Sequence, residues 1–210
     1  AQYFEITAHR KRITLPFKLV RNMIVVRLNI NGRGPFNFVL DTGVGIMIIT
    51  DPKLVDSINL ASKRIIKLYG LGGQDYEAYV TPDIKVDLPD ITSHHVSAAI
   101  LKEDHFGLSN YAGMPIHGLL GYDFFNNLAV KLSFYDSTMT VTRPQYARPL
   151  RKGVKIPITI EDRKPYLQTW VKMPDGTLSK KKLVVDIGAG HPLSLENMLR
   201  DNGLPQNFIS

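Results

Sequence analysis

Two aspartates in this chain sit in matching surroundings. In "FVLDTGVGIMII" (residues 38–49) Asp41 follows three apolar residues and precedes Thr42 and Gly43, and in "LVVDIGAGHPLSL" (183–195) Asp186 ends a similar apolar run and precedes Ile187 and Gly188. The two lie 145 positions apart, which reads as two related half-structures. Carboxylates held a few ångström from one another cannot both ionise cheaply, so they share a proton and their pKa values split. One then acts as base and the other as acid. Such a pair can draw a proton from a trapped water and protonate the oxyanion that forms when the water attacks a carbonyl. A glycine two positions after each aspartate permits a tight turn and lets backbone amides approach the carboxylate, a role that fits Gly43 and Gly188 alike.

The elements needed to position these residues are mostly β. "NMIVVRLNING" (22–32) is β-rich and ends in the turn dipeptide Asn31-Gly32 before "PFNFVLD" resumes, which predicts a hairpin feeding Asp41. Asp51 and Pro52 can cap and start a short helix. Residues 64–82 give two β-prone arms around Gly70, Gly72 and Gly73, and residues 83–101 two short strands about a Pro-Asp turn, with loop to about 115. Residues 117–143 then predict an apolar pair flanked by glycines, a helical turn at Tyr122–Asn127, and a hairpin turning at Asp136-Ser137. "RPQYARPLRKG" (143–153) reads as a linker. Beyond it the pattern restarts with "VKIPITI", "PYLQTWVKM", the turn "PDG" at 174–176 and "KKLVVDIG".

Taken in order, "VLDTG" (39–43), the glycine-rich "YGLGGQ" (69–74) and "GLLGYDFF" (118–125) resemble the aspartic protease superfamily, in its retropepsin-like and pepsin-like branch. Asp-Thr-Gly alone also fits an ordinary β-turn; the order of the three pieces is the specific feature. The resemblance implies a mostly β fold, with an acid-protease-type closed β-barrel lobe over 1–145, a linker at 146–153, and a partial second lobe of the same type over 154–210. It implies an aspartic-type endopeptidase with Asp41 and Asp186 as catalytic residues and no cofactor or metal. Leu119, Leu120 and Gly121 would support the Asp41 loop from beneath, although the two leucines equally suit core packing. Tyr69, Gly70, Leu71, Gly72 and Gly73 would form a flap over the substrate. In the family a threonine hydroxyl reaches from each aspartate loop to the other; Thr42 can do so, while Ile187 has no hydroxyl. Only 24 residues follow Asp186, against 80 positions from Asp41 to Gly121. The expectation is therefore that residues 1–210 cleave poorly by themselves, and that a longer chain completing the second lobe recovers activity.

Composition excludes other chemistry. With 44% hydrophobic and 21% charged residues the chain falls in the globular range, and it contains no apolar run of membrane-spanning length. The absence of cysteine removes thiolate nucleophiles and thiolate metal sites. No Gly-x-Ser-x-Gly occurs, no Lys-Ser/Thr follows the glycines at 70–73, and the neighbouring His94 and His95 would point to opposite faces of a strand. The net charge of +7 is spread over short clusters (9–12, 151–155 and 179–183) with no nucleic-acid motif, so solvated loops are expected and nucleic acid is not. The expected partner is a peptide or protein substrate, bound by a monomer with a two-lobe site or by a homodimer that pairs Asp41 from two chains. A different class also fits: a peptide-binding protein that kept the fold and lost catalysis. The start "AQYFEI" suits a mature chain whose leader has been removed. Together with the resemblance to bacterial retropepsin-like proteins, it predicts the periplasm or the outside of a bacterial cell.

Overall fold

Asn31 and Gly32 take φ values of 49° and 76°, the pair of positive angles that tight hairpins favour. They turn β4 (Met23–Ile30) back into β5 (Arg33–Leu40), with Val25 opposite Val39 and Val26 opposite Phe38. Both faces of this hairpin are buried. Val26, Leu28, Ile30, Phe38 and Leu40 enter the main core, while Val25 and Val39 join a second apolar cluster on the other side. This explains the nearly continuous apolar runs that precede Asp41.

The computed structural model describes residues 3–7, 9–54, 64–69, 75–148 and 150–194. Besides the hairpin, the first part of the chain contains β1 (Glu5–Ile6), β2 (Arg12–Pro16), β3 (Lys18–Val20), β6 (Met47–Ile49), β7 (Arg64–Tyr69), β8 (Asp75–Leu88) and β9 (Ile91–Leu101). After these come α1 (Leu108–Ala112), β10 (Gly118–Leu120), α2 (Tyr122–Phe125), β11 (Ala129–Ser133) and β12 (Thr138–Thr142). The large sheet runs β1-β9-β6-β10-β5-β4-β8-β7 with β3 on β4, and β8 pairs with β9 as well, so the pairing path returns on itself. A small sheet, β11-β12-β2, packs Ile13, Leu15, Met139 and Val141 into the same main core. The protein is mostly β, as the alternation of its sequence predicts.

Three segments differ from expectation. Residues 75–101 form two long strands, because irregular pairing between Thr81 and Val86 absorbs Pro82 and bends β8, where the sequence reading broke the strand. The expected loop to residue 115 contains α1, bracketed by Gly107 and Gly113 at φ 58° and 66°. The restart at "VKIPITI" forms a strand only over β13 (Thr159–Glu161). The Asp51 carboxylate does accept from the Lys53 amide, as a helix cap would, and the rest of that expected helix lies outside the described residues.

The remaining sheet consists of β13, β14 (Lys164–Lys172) and β15 (Leu178–Val184), in that order. Its first turn is Asp162-Arg163, both at positive φ (47° and 63°), and its second is the predicted Pro-Asp-Gly turn, where Asp175 accepts from the Thr177 amide. Strand β15 leads directly into Asp186.

Candidate active site

The Asp41 loop is held by strand pairing on one side. β10 lies between β5, to which it runs parallel, and β6, to which it runs antiparallel. The Asp41 amide donates to the Leu120 carbonyl (3.0 Å), and the Tyr122 amide donates to the Val44 carbonyl (2.9 Å). Leu119, Leu120 and Gly121 thus run alongside the loop, and both leucines are core residues as well: Leu120 is fully buried in the main core and Leu119 sits in the second cluster. Gly121 is required by contact, since a β-carbon there would lie 2.0 Å from the Val44 carbonyl oxygen and 2.8 Å from that of Asp41.

The second aspartate loop faces the first. The Gly43 amide donates to Asp41 Oδ1 (2.7 Å); correspondingly, the Gly188 and Ala189 amides donate to Asp186 Oδ1 (2.8 and 3.1 Å). The other carboxylate oxygens cross over. A β-carbon on Gly43 would lie 2.8 Å from Asp186 Oδ2, and one on Gly188 would lie 2.7 Å from Asp41 Oδ2. Only glycine at both positions lets the loops approach this closely. Asp41 and Asp186 meet across the two glycines, and both are half-buried.

Thr42 joins the loops. Its hydroxyl donates to the Val185 carbonyl (2.5 Å) and accepts from the Ile187 amide (3.1 Å). The contact expected from Thr42 is present, and the reciprocal contact cannot form. Ile187 packs instead against the main core, so apolar burial holds the loop where a hydroxyl would otherwise act.

Burial pushes the Asp41 carboxyl up from 3.8 to about 7, helped by the charge of Asp186 and by the hydrogen bond between the two; the Gly43 amide and the Lys164 ammonium oppose the rise. A carboxyl that keeps its proton to near neutrality beside a second carboxylate can donate a proton while its partner accepts one. Lys164 was not singled out in the sequence, because nothing before the fold brings position 164 near position 41. Asp123 offered a signal that passed unused: it is a charge inside the apolar run "LLGYDFF", and it is buried. Of the expected flap, Tyr69 ends β7 and residues 70–73 lie outside the described residues.

Two aspartate loops face each other across glycines on a mostly β framework. Residues 26–124, which include the Asp41 loop and the Leu-Leu-Gly segment, match the family described as aspartyl protease. The chain is similar in structure to a retropepsin-like aspartic protease from Rickettsia conorii, at 10% identity and a TM-score of 0.47, covering 63% of this chain and 90% of that one. No curated protein matches the chain. The resemblance to aspartyl proteases read from the sequence is also found, over residues 26–124, by the family comparison.

Proposed function

We propose that the chain is an aspartic-type endopeptidase whose two catalytic carboxylates, Asp41 and Asp186, come from a single polypeptide. The observation that carries this reading is the crossed packing of the two loops, each carboxylate lying over the other loop's glycine, with Thr42 bonded to both sides of Asp186. Asp41 holds the shared proton and Asp186 takes the part of the base. A water between them loses a proton to Asp186 as its oxygen bonds to the peptide carbonyl carbon, and Asp41 donates its proton to the carbonyl oxygen. Transfer of a proton to the amide nitrogen then lets the C–N bond break and the carbonyl re-form. The pair ends with one proton between its two carboxyls, as it began.

The strand path that returns on itself through β8 and β9 supports a barrel-type first lobe, and the β13–β15 hairpins leading to Asp186 support the start of a second. The substrate is a peptide or protein. The compartment, periplasmic or extracellular in a bacterium, is part of the same proposal, and fractionating cells that make the full-length protein tests it.

Digestion of a mixed peptide library between pH 4 and 7, read by mass spectrometry, tests the activity. Cleavage should be lost on Asp41→Asn and on Asp186→Asn, with peptide binding retained. Cleavage that survives Asp186→Asn, or that rises with the square of protein concentration, would move the site to a homodimer. Binding without cleavage, in a longer chain that completes the second lobe as well as in residues 1–210, would make it a peptide-binding module.

A further inference from the structure

The geometry points to Arg163 as a positioning residue: with Asp123 it forms a clasp that docks the β13–β14 turn on the Asp41 half of the site and so holds Asp186 opposite Asp41. This deepens the dyad reading given above and rests on it for the catalytic consequence.

Arg163 occupies a position where another residue would cost less. With Asp162 it forms a turn in which both residues have positive φ, the place where glycine or asparagine is favoured. An arginine kept in a left-handed conformation implies that its side chain is needed there. That side chain leaves the second sheet altogether. Its guanidinium donates to Asp123 Oδ1 in α2 and lies 4.9 Å from the centre of the Tyr122 ring. The turn itself lies against the Asp41 loop: a β-carbon on Gly45 would be 3.3 Å from Arg163 Cβ and 3.4 Å from the Asp162 carbonyl oxygen.

The receiving group is unusual too. Asp123 is 8% exposed, and its Oδ2 has no hydrogen-bond partner among the described residues, so Arg163 supplies the cation this buried carboxylate needs. Burial pushes its pKa up and Arg163 pulls it back. Asp123 also stands two residues after Gly121, on the segment that supports Asp41.

From the clasp to Asp186 the path is short. Two residues beyond Arg163, the Pro165 carbonyl accepts from the Val185 amide (2.9 Å), and Val185 precedes Asp186. The Thr42 hydroxyl donates to the carbonyl of the same Val185. Asp186 therefore hangs between two attachments to the first lobe, Thr42 and Arg163. The second compensates for the hydroxyl that Ile187 lacks.

The test compares the parent chain with Arg163→Gly, Arg163→Lys and Asp123→Asn by amide hydrogen exchange and by the pH dependence of kcat/KM. Glycine relieves the turn, so a role confined to the turn predicts slower exchange throughout the hairpin. The clasp predicts the opposite at one place: exchange of the Ile187 amide, bonded to Thr42 across the lobes, should speed up by roughly tenfold or more, while the Asp41 amide, bonded to Leu120, stays protected. Asp123→Asn should act in the same direction, and Arg163→Lys should recover part of the protection.

Where cleavage is measured, kcat/KM should fall on the order of 10- to 100-fold. Its basic limb should also move to lower pH, because a withdrawn Asp186 no longer raises the Asp41 pKa. Unchanged Ile187 exchange in Arg163→Gly overturns the clasp, as does a loss of activity without any change in exchange. Faster Ile187 exchange, with no cleavage even by a longer chain that completes the second lobe, upholds the clasp and overturns the peptidase reading.

Discussion

Replacing Asp41 with asparagine should make the protein more stable above neutral pH. A carboxyl whose pKa is higher in the folded state binds its proton more tightly there, so its contribution is complete below the unfolded value and is lost as pH rises through the folded value. For Asp41 those values are 3.8 and about 7. The interval corresponds to a ceiling of about 4 kcal/mol. Asp41 is half-buried, and solvent screening reduces the expected effect to about 2 kcal/mol. Asparagine keeps the shape of the side chain and does not titrate. Urea unfolding of both proteins at pH 4 and pH 8 isolates the effect of the dyad, because the carboxylates remote from Asp41 cancel in the difference. The stability gap should widen in favour of Asp41→Asn by about 2 kcal/mol between the two pH values, as turnover disappears. A gap that stays constant, or that widens in favour of the parent, refutes the reasoning.

Thr42→Val removes two hydrogen bonds between the loops and should cost about 2 kcal/mol by urea unfolding, with a larger proportional loss in kcat than in KM. Gly121→Ala places a methyl group against the Val44 and Asp41 carbonyls, and should lower both thermal stability and cleavage, even though alanine is otherwise the smallest change available. Lys164→Met removes the cation that lowers the Asp41 pKa, so the basic limb of the pH–rate profile should move upward, opposite to the shift expected for Arg163→Gly.

The sequence carried the local parts of this site well. Asn31-Gly32 and Pro-Asp-Gly mark turns whose backbone angles few residues tolerate, and they locate the hairpins that lead to both aspartates. The place of the Leu-Leu-Gly segment beneath the Asp41 loop came from the family resemblance alone, because parallel pairing between residues 38–40 and 118–120 has no local signature. Pro82 misled, since the bulge that absorbs it is decided by pairing with β9. Arg163 and Lys164 fall outside every motif and charge cluster picked out in the sequence. Their roles depend on a turn meeting a loop more than a hundred residues earlier, and no periodicity encodes that meeting.

The shared proton is open to direct observation. A ¹³C NMR titration of the Asp41 carboxyl, in the parent chain and in Asp186→Asn, should give a midpoint near 7 in the first and a distinctly lower one in the second. An ordinary midpoint near 4 in the parent, or the same midpoint in both proteins, would contradict a dyad formed within one chain.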